Sequence, residues 1–256
     1  MNNKLTQLFQ QENKNLLNVY CTAGYPKLSS TTEVLFALQE NGVDMIEVGM
    51  PYSDPIADGP VIQQSNMVAI ENGMTIELLF EQLNSVKNTI TVPLIMMGYL
   101  NPVLQYGLEK FCEDAAAAGI AGIILPDLPM YEYEELYAPL FKKYKLCFIF
   151  LITPQTSEER IKKADKLSSG FLYAVSSSST TGSNLNKEDK TAYFERIAGI
   201  KLKNPLMIGF GINDRATFDT ACNYASGAII GSAYIKALTE NNDINASTAN
   251  FIQTIR

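Results

Sequence analysis

The sequence contains no histidine and no tryptophan. The first absence excludes Ser-His-Asp and Cys-His nucleophilic machinery and every metal site that needs an imidazole. Cysteine is scarce too: Cys21, Cys112, Cys147 and Cys222 lie far apart and form no CxxC pair. They read as reduced structural thiols, with Cys147 inside the apolar run LCFIFLI and Cys112 in a helical stretch. No apolar run approaches the roughly 18 residues of a membrane span. The polar start MNNKLTQLFQQENKN lacks a signal-peptide core, so a cytoplasmic location is expected. Basic residues are outnumbered, 20 against 27 acidic, for a net charge of −7. That balance disfavours non-specific binding to nucleic acid or to an anionic membrane. Acid–base chemistry must then come from carboxylates, tyrosines or lysines.

What is present is a globular chain, 46% apolar and 18% charged. Short apolar runs alternate with longer amphipathic stretches. The runs fall at 17–23, 43–50, 92–99, 120–126, 146–152, 171–176, 205–211 and 227–233, each of strand length and apolar on both faces, as in a buried parallel sheet. Helical patterns between them include 31–42, 75–88, 108–119, 133–144 and 157–168. Eight runs in 256 residues is the arithmetic of an α/β chain folded as a (β/α)8 TIM barrel. An open doubly wound sheet is the alternative, but TAGYPKLSS after the first run lacks its GxGxxG motif. No linker divides the chain, so residues 1–256 are expected to form one barrel domain with a short N-terminal helix. In such a barrel the active site lies at the C-terminal ends of the strands.

The segment DMIEVGMPYSDPIADGP (44–60) is the most informative. Glu47 interrupts an apolar strand, and alternation places it on one face with Met45 and Gly49. If Ile46 and Val48 pack against helices, Glu47 points into the barrel mouth, with Gly49 leaving space above it. Partial desolvation there suits a carboxylate to proton transfer near neutrality. The plain alternative is a strand-end glutamate that is solvated or paired with lysine. Asp54 before Pro55 and Asp58 before Gly59 are, on composition alone, ordinary turn residues.

EVGMPYSDPIADGPVIQ resembles the signature of the tryptophan synthase α subunit family. The likeness continues in order through GYLNP (98–102), PDLP (126–129), TGS after the sixth run, GFGI (209–212) and GSA (231–233). The resemblance implies cleavage of indole-3-glycerol phosphate to indole and glyceraldehyde 3-phosphate, a retro-aldol reaction. It implies that Glu47 is the general acid–base carboxylate and that Asp58 is a second catalytic carboxylate, bonded to the indole N–H. It further implies phosphate ligands at Gly211, Gly231 and Ser232, with extra short helices near them. Tyr20, Ile62, Met97, Tyr99, Ile124 and Tyr173 match positions near the ligand, although each alone reads as plain core. In SSSSTTGSNLNKEDK (176–190), a mobile lid by composition, Thr181 matches a threonine that contacts the catalytic aspartate, and Gly182 follows it. Ser177, Ser179 and Thr180 depart from many relatives there. Asp54, Pro55, Asn101 and Pro102 match elements facing a β subunit that carries pyridoxal phosphate in an α2β2 complex; this chain itself is expected to hold no cofactor and no metal.

The composition fits that chemistry. No lysine falls inside or just after a run to form a Schiff base, and a metal-dependent aldolase site without histidine is disfavoured. A substrate with its own electron sink is needed, and protonation of indole at C3 supplies one. Glycines after the seventh and eighth runs suit a phosphate held on backbone amides; the four arginines sit in helical stretches and suggest no clamp. An indole-glycerol-phosphate synthase relative would carry strand-end lysines, and a non-catalytic regulatory barrel would have lost Glu47 or Asp58.

Overall fold

The computed structural model describes residues 3–11, 14–175, 187–209, 211–240 and 243–256. The apolar runs become parallel strands: β1 Leu16–Thr22, β2 Met45–Gly49, β3 Leu94–Met97, β4 Ile120–Ile124, β5 Cys147–Phe148, β6 Leu151–Ile152, β7 Leu172–Val175, β8 Leu206–Gly209 and β9 Gly227–Ile230. Nearly every strand residue is buried, because the barrel interior covers one face and the helices cover the other. The expected helices form at Ser30–Glu40, Ile76–Val86, Leu108–Ala117 and Glu158–Leu167. Side-chain caps start two of them, with Thr75 accepting from the Leu78 N–H and Ser157 from that of Arg160. The stretch 133–144 is less regular, a π-helical turn at Tyr133–Tyr137 followed by a helix at Ala138–Lys143.

Nine strands arise from eight runs because the fifth run is broken. The sheet order is β5-β4-β3-β2-β1-β9-β8-β7-β6, so the two halves of that run sit at its opposite ends. β5 pairs with β4 and β6 with β7. Only Ile149 and Phe150 lie between the halves, and they bond across the gap: Ile149 N donates to Ile123 O, and Phe150 O accepts from Tyr173 N, both at 3.0 Å. Serine hydroxyls replace ladder bonds here, Ser169 Oγ accepting from Phe148 N and Ser168 Oγ from Phe150 N. Tyr133 stacks on Phe148 at 4.3 Å and meets Phe150 edge-on, holding the crossing from outside. One short covalent crossing thus closes the (β/α)8 barrel.

The helix Lys4–Gln11 closes the N-terminal end, with Leu5 fully buried against Gly122 and Gly170. Asn3 Nδ2 anchors it to the carbonyls of Ala121 and Lys145 at 2.8 and 2.9 Å. At the seam between β9 and β1 the backbones approach so closely that a Cβ on Gly227 would lie 2.0 Å from the Leu16 carbonyl oxygen. That obstacle is backbone and cannot rotate away. Gly227→Ala should therefore cost about 3 kcal/mol in thermal or urea unfolding, the top of the usual overpacking range. Gly59→Ala, where nothing lies within 4 Å of the added carbon, should cost far less. Equal stability of the two variants would show that the seam relaxes.

Candidate active site

Glu47 lies in the middle of β2, in register with Tyr20 on β1 and Ile95 on β3. It is 1% exposed, and Asn18 Nδ2 donates to its Oε2 at 3.2 Å. Burial pushes the carboxyl up to about 8, with the nearby Asp58 charge adding to the rise and the Asn18 bond opposing it. Asp58 lies on the loop after β2, its N–H donating to Pro55 O at 3.0 Å. Tyr99 donates its hydroxyl to Asp58 Oδ2 at 2.9 Å, while the Tyr99 hydroxyl oxygen accepts from Ala57 N. Burial lifts Asp58 to about 6 against that hydrogen bond.

Both carboxylates line one cavity of about 770 Å³ at the C-terminal mouth of the barrel. Tyr20, Ile62, Met97, Tyr173, Gly211, Gly231 and Ser232 line it too. Of the apolar candidates, Ile124 is instead fully buried core, and Tyr99 acts as the support of Asp58. The space beside Gly49 is not left open for Glu47: a Cβ there would lie 2.0 Å from the Tyr20 hydroxyl. β8 repeats the device, where a Cβ on Gly209 would lie 2.4 Å from the Tyr173 hydroxyl. Each glycine is cut away so that a tyrosine from the preceding strand can lean across the mouth. Burial raises both phenols well above their ordinary range, so they remain neutral hydroxyls.

At the far side of the cavity Ser232 opens the helix Ser232–Glu240, whose first turn is closed by Ile235 N donating to Gly231 O at 3.0 Å. Gly211 has φ +75°. A Cβ on Gly231 would come within 3.3 Å of Ile62 Cδ1, on the cavity side. Lys236 also lines the cavity, one turn beyond Ser232. It projects from the helix rather than from a strand end, and in the sequence only its spacing of four from Ser232 marks it. Thr181 and Gly182 lie outside the described residues.

The loop after β2 is tied to its surroundings. Gln63 Nε2 donates to Asp58 O at 3.0 Å, and Asn66 Oδ1 accepts from Tyr52 N at 3.2 Å. Thr22 and Ser65 share a hydroxyl contact of 2.6 Å beneath it. Asp54 is exposed and Pro55 buried; the Asp54 carboxylate accepts from Ser53 Oγ. Asn101 and Pro102 lie in the helix Leu100–Tyr106, where Asn101 Nδ2 reaches Tyr52 OH at 3.5 Å.

These protonation levels fix how stability responds to pH. A native state that keeps protons where the unfolded chain releases them loses stability as pH rises. Glu47 does so between 4.5 and about 8, and Asp58 between 3.8 and about 6. Thermal unfolding should show stability declining from about pH 5 to about pH 8, and Glu47→Gln should remove most of the decline above about pH 6. A Glu47→Gln curve parallel to the wild type would mean that Glu47 titrates in the fold as it does in water.

Comparison with known proteins identifies the family. The family model for tryptophan synthase alpha chain matches residues 6–255. The chain is 54% identical over 240 residues to the tryptophan synthase alpha chain of Flavobacterium psychrophilum, covering 93% of this chain and 94% of that one. Among solved structures, the tryptophan synthase alpha chain of Legionella pneumophila superposes with a TM-score of 0.89 at 30% identity, over 100% of this chain and 96% of that one. A chain of M. tuberculosis tryptophan synthase in its aminoacrylate-bound form superposes with a TM-score of 0.85 at 31% identity, over 99% and 100%. With the family model matched over nearly the whole chain and relatives about half identical to it, the chain belongs to the tryptophan synthase alpha chain family.

Proposed function

We propose that this chain catalyses the retro-aldol cleavage of indole-3-glycerol phosphate to indole and D-glyceraldehyde 3-phosphate, as a carbon–carbon lyase of L-tryptophan biosynthesis. The observation that carries this reading is the split between the two carboxyl groups of one cavity. With Glu47 near 8 and Asp58 near 6, at pH 7 the first mostly holds its proton and the second is mostly ionised.

That is the pairing the reaction needs. Glu47 gives its proton to indole C3, and the ring becomes an indolenine cation. Asp58 accepts the ring N–H and stabilises that cation; Tyr99, donating to Asp58, favours its ionised form. The Glu47 carboxylate then takes the proton of the adjacent glycerol hydroxyl. The C–C bond breaks, its electron pair flows into the C=N⁺ bond, and the hydroxyl carbon leaves as the aldehyde. Glu47 ends protonated, so the cycle balances without a metal or a Schiff base. Tyr20, Ile62 and Tyr173 supply walls for the indole. The phosphate is assigned to Gly211, Gly231 and Ser232; Thr181 and Gly182 lie outside the described residues and keep only the substrate-binding role that the resemblance implies.

A β subunit is the partner we infer, carrying pyridoxal phosphate and receiving indole in a cytoplasmic α2β2 assembly. The most exposed large apolar residues described lie on segments following three adjacent strands: Ile56 (71%) after β2, Leu104 (48%) after β3, and Tyr131 (64%) and Leu136 (66%) after β4. Contacts link these segments, Tyr52 lying 5.3 Å from Tyr99 and Leu100 N donating to Asp127 at 3.0 Å. Such clustering supports a docking face, and Asp54, Pro55, Asn101 and Pro102 belong to the same segments.

Glu47→Gln should lower the rate of indole formation by roughly 10² to 10⁴ with binding nearly intact. In the wild type, kcat/KM should rise through about pH 6 as Asp58 ionises and fall through about pH 8 as Glu47 loses its proton. More than about a tenth of the activity retained in Glu47→Gln would return Glu47 to a structural role.

Asp54→Ala tests the partner. A coupling of about 1–3 kcal/mol between the loop and a β subunit corresponds to roughly 5- to 150-fold. The variant should keep the activity of the isolated chain and lose much of the stimulation by saturating β subunit. Equal losses with and without the partner would remove Asp54 from the coupling.

A further inference from the structure

We propose that Asn18 is a positioning residue for Glu47, an amide that serves the carboxyl group in both of its protonation states. This rests on the acid–base reading of Glu47 and adds the group that orients it. Asn18 lies on β1 two residues before Tyr20 and on the same face, fully buried inside the barrel. Its Nδ2 donates to Glu47 Oε2 at 3.2 Å, while its Oδ1 is buried without a hydrogen-bond partner.

A buried amide with one unpaired end costs stability that an apolar side chain would not. The residues that neighbour Asn18 and Glu47 on that face towards the N-terminal ends of their strands are apolar: Leu16 and Met45 are both fully buried. An asparagine here therefore calls for a reason beyond packing, and its chemistry supplies one. An amide presents a donor and an acceptor, exchanged by a half-turn of its terminal torsion. Ionised Glu47 accepts from Nδ2; protonated Glu47 donates its O–H to Oδ1. In each orientation the end that faces Glu47 is paired and the other is not. The proton on Glu47 decides between them.

The reaction needs such a partner because Glu47 gives up a proton and regains it within each turnover. A pure donor would hold Glu47 as the carboxylate, and a pure acceptor would hold it as the acid. Asp58, from the loop after β2, is the titratable group that acts on Glu47, and the groups that feel the Glu47 charge in turn are Tyr20 and Cys21 from β1 and Tyr173 from β7. None of these four is a cation. Among them and Asn18, the Asn18 bond is what opposes burial and keeps the ionised form within reach.

The test compares Asn18→Leu, Asn18→Ser and Glu47→Gln with the wild type, assaying indole release from indole-3-glycerol phosphate across pH. Asn18→Leu removes both functions. It should lower kcat at least about tenfold with KM within about twofold, and move the alkaline limb of kcat/KM up by about one pH unit. Asn18→Ser, whose hydroxyl both donates and accepts, should recover part of the kcat and return the limb towards its wild-type position. In the wild type, the side-chain amide NMR signals of Asn18 should shift with the midpoint at which Glu47 titrates, and stay flat in Glu47→Gln. That measurement needs no Asn18 variant, so it decides the matter even where Asn18→Leu does not fold. An unmoved limb and unchanged kcat in Asn18→Leu, or a flat Asn18 amide in the wild type, would overturn the proposal. Full activity in Glu47→Gln would instead overturn the acid–base reading beneath it.

Discussion

Burial of Glu47 inside a closed ring of strands is the constraint on which the site depends. A carboxylate taken out of water without a cation favours its protonated form, and here desolvation outweighs the Asn18 bond. β2 lies inside the sheet between β1 and β3, and the junction of β5 and β6 at Ile149 and Phe150 closes the ring around the face that Glu47 occupies. A barrel that failed to close would hydrate Glu47 and return it towards the ordinary carboxylate range.

Asp58 shows the same physics at a lower setting. It sits on a loop rather than in a strand, less deeply buried than Glu47, and it receives the Tyr99 hydroxyl. Its shift is smaller for both reasons. The loop is held by Gln63, by Asn66 and by the Pro55 carbonyl, so the position of Asp58 depends on the turn that also carries Asp54. A change at the exposed side of that turn therefore has a short path to the cavity. The two carboxyl groups end at different protonation levels because one is set by a strand and the other by a loop.

The tyrosine pair illustrates how backbone spacing shapes the pocket. Tyr20 and Tyr173 lean over Gly49 and Gly209, and any larger residue at those glycines would collide with a phenol. The cavity wall is built by omission on one strand and by bulk on the next. The phenols bring hydroxyls into the mouth without bringing charge, since burial keeps them protonated.

Much of this was legible in the residues alone. Eight apolar runs predicted the strands, and the polar Glu47 within one of them marked the site, because strand alternation and hydrophobic burial are local properties of a sequence. The motif around Asp58, and glycines followed by Ser232, were legible for the same reason: each is a short contiguous pattern. What the sequence left open depends on contacts between distant residues. Nothing in LCFIFLI shows that it divides between two neighbours, since that break follows from the geometry of closing a ring. Nothing near Gly49 shows that Tyr20, 29 positions earlier, fills its space. Tyr99 reads as pocket lining until the fold brings its hydroxyl to Asp58, and Asn18 reads as a chance polar residue in an apolar strand until it lies beneath Glu47. The residue types were set by the sequence; their protonation and pairing were decided by the tertiary structure, because desolvation and hydrogen bonding act through space rather than along the chain.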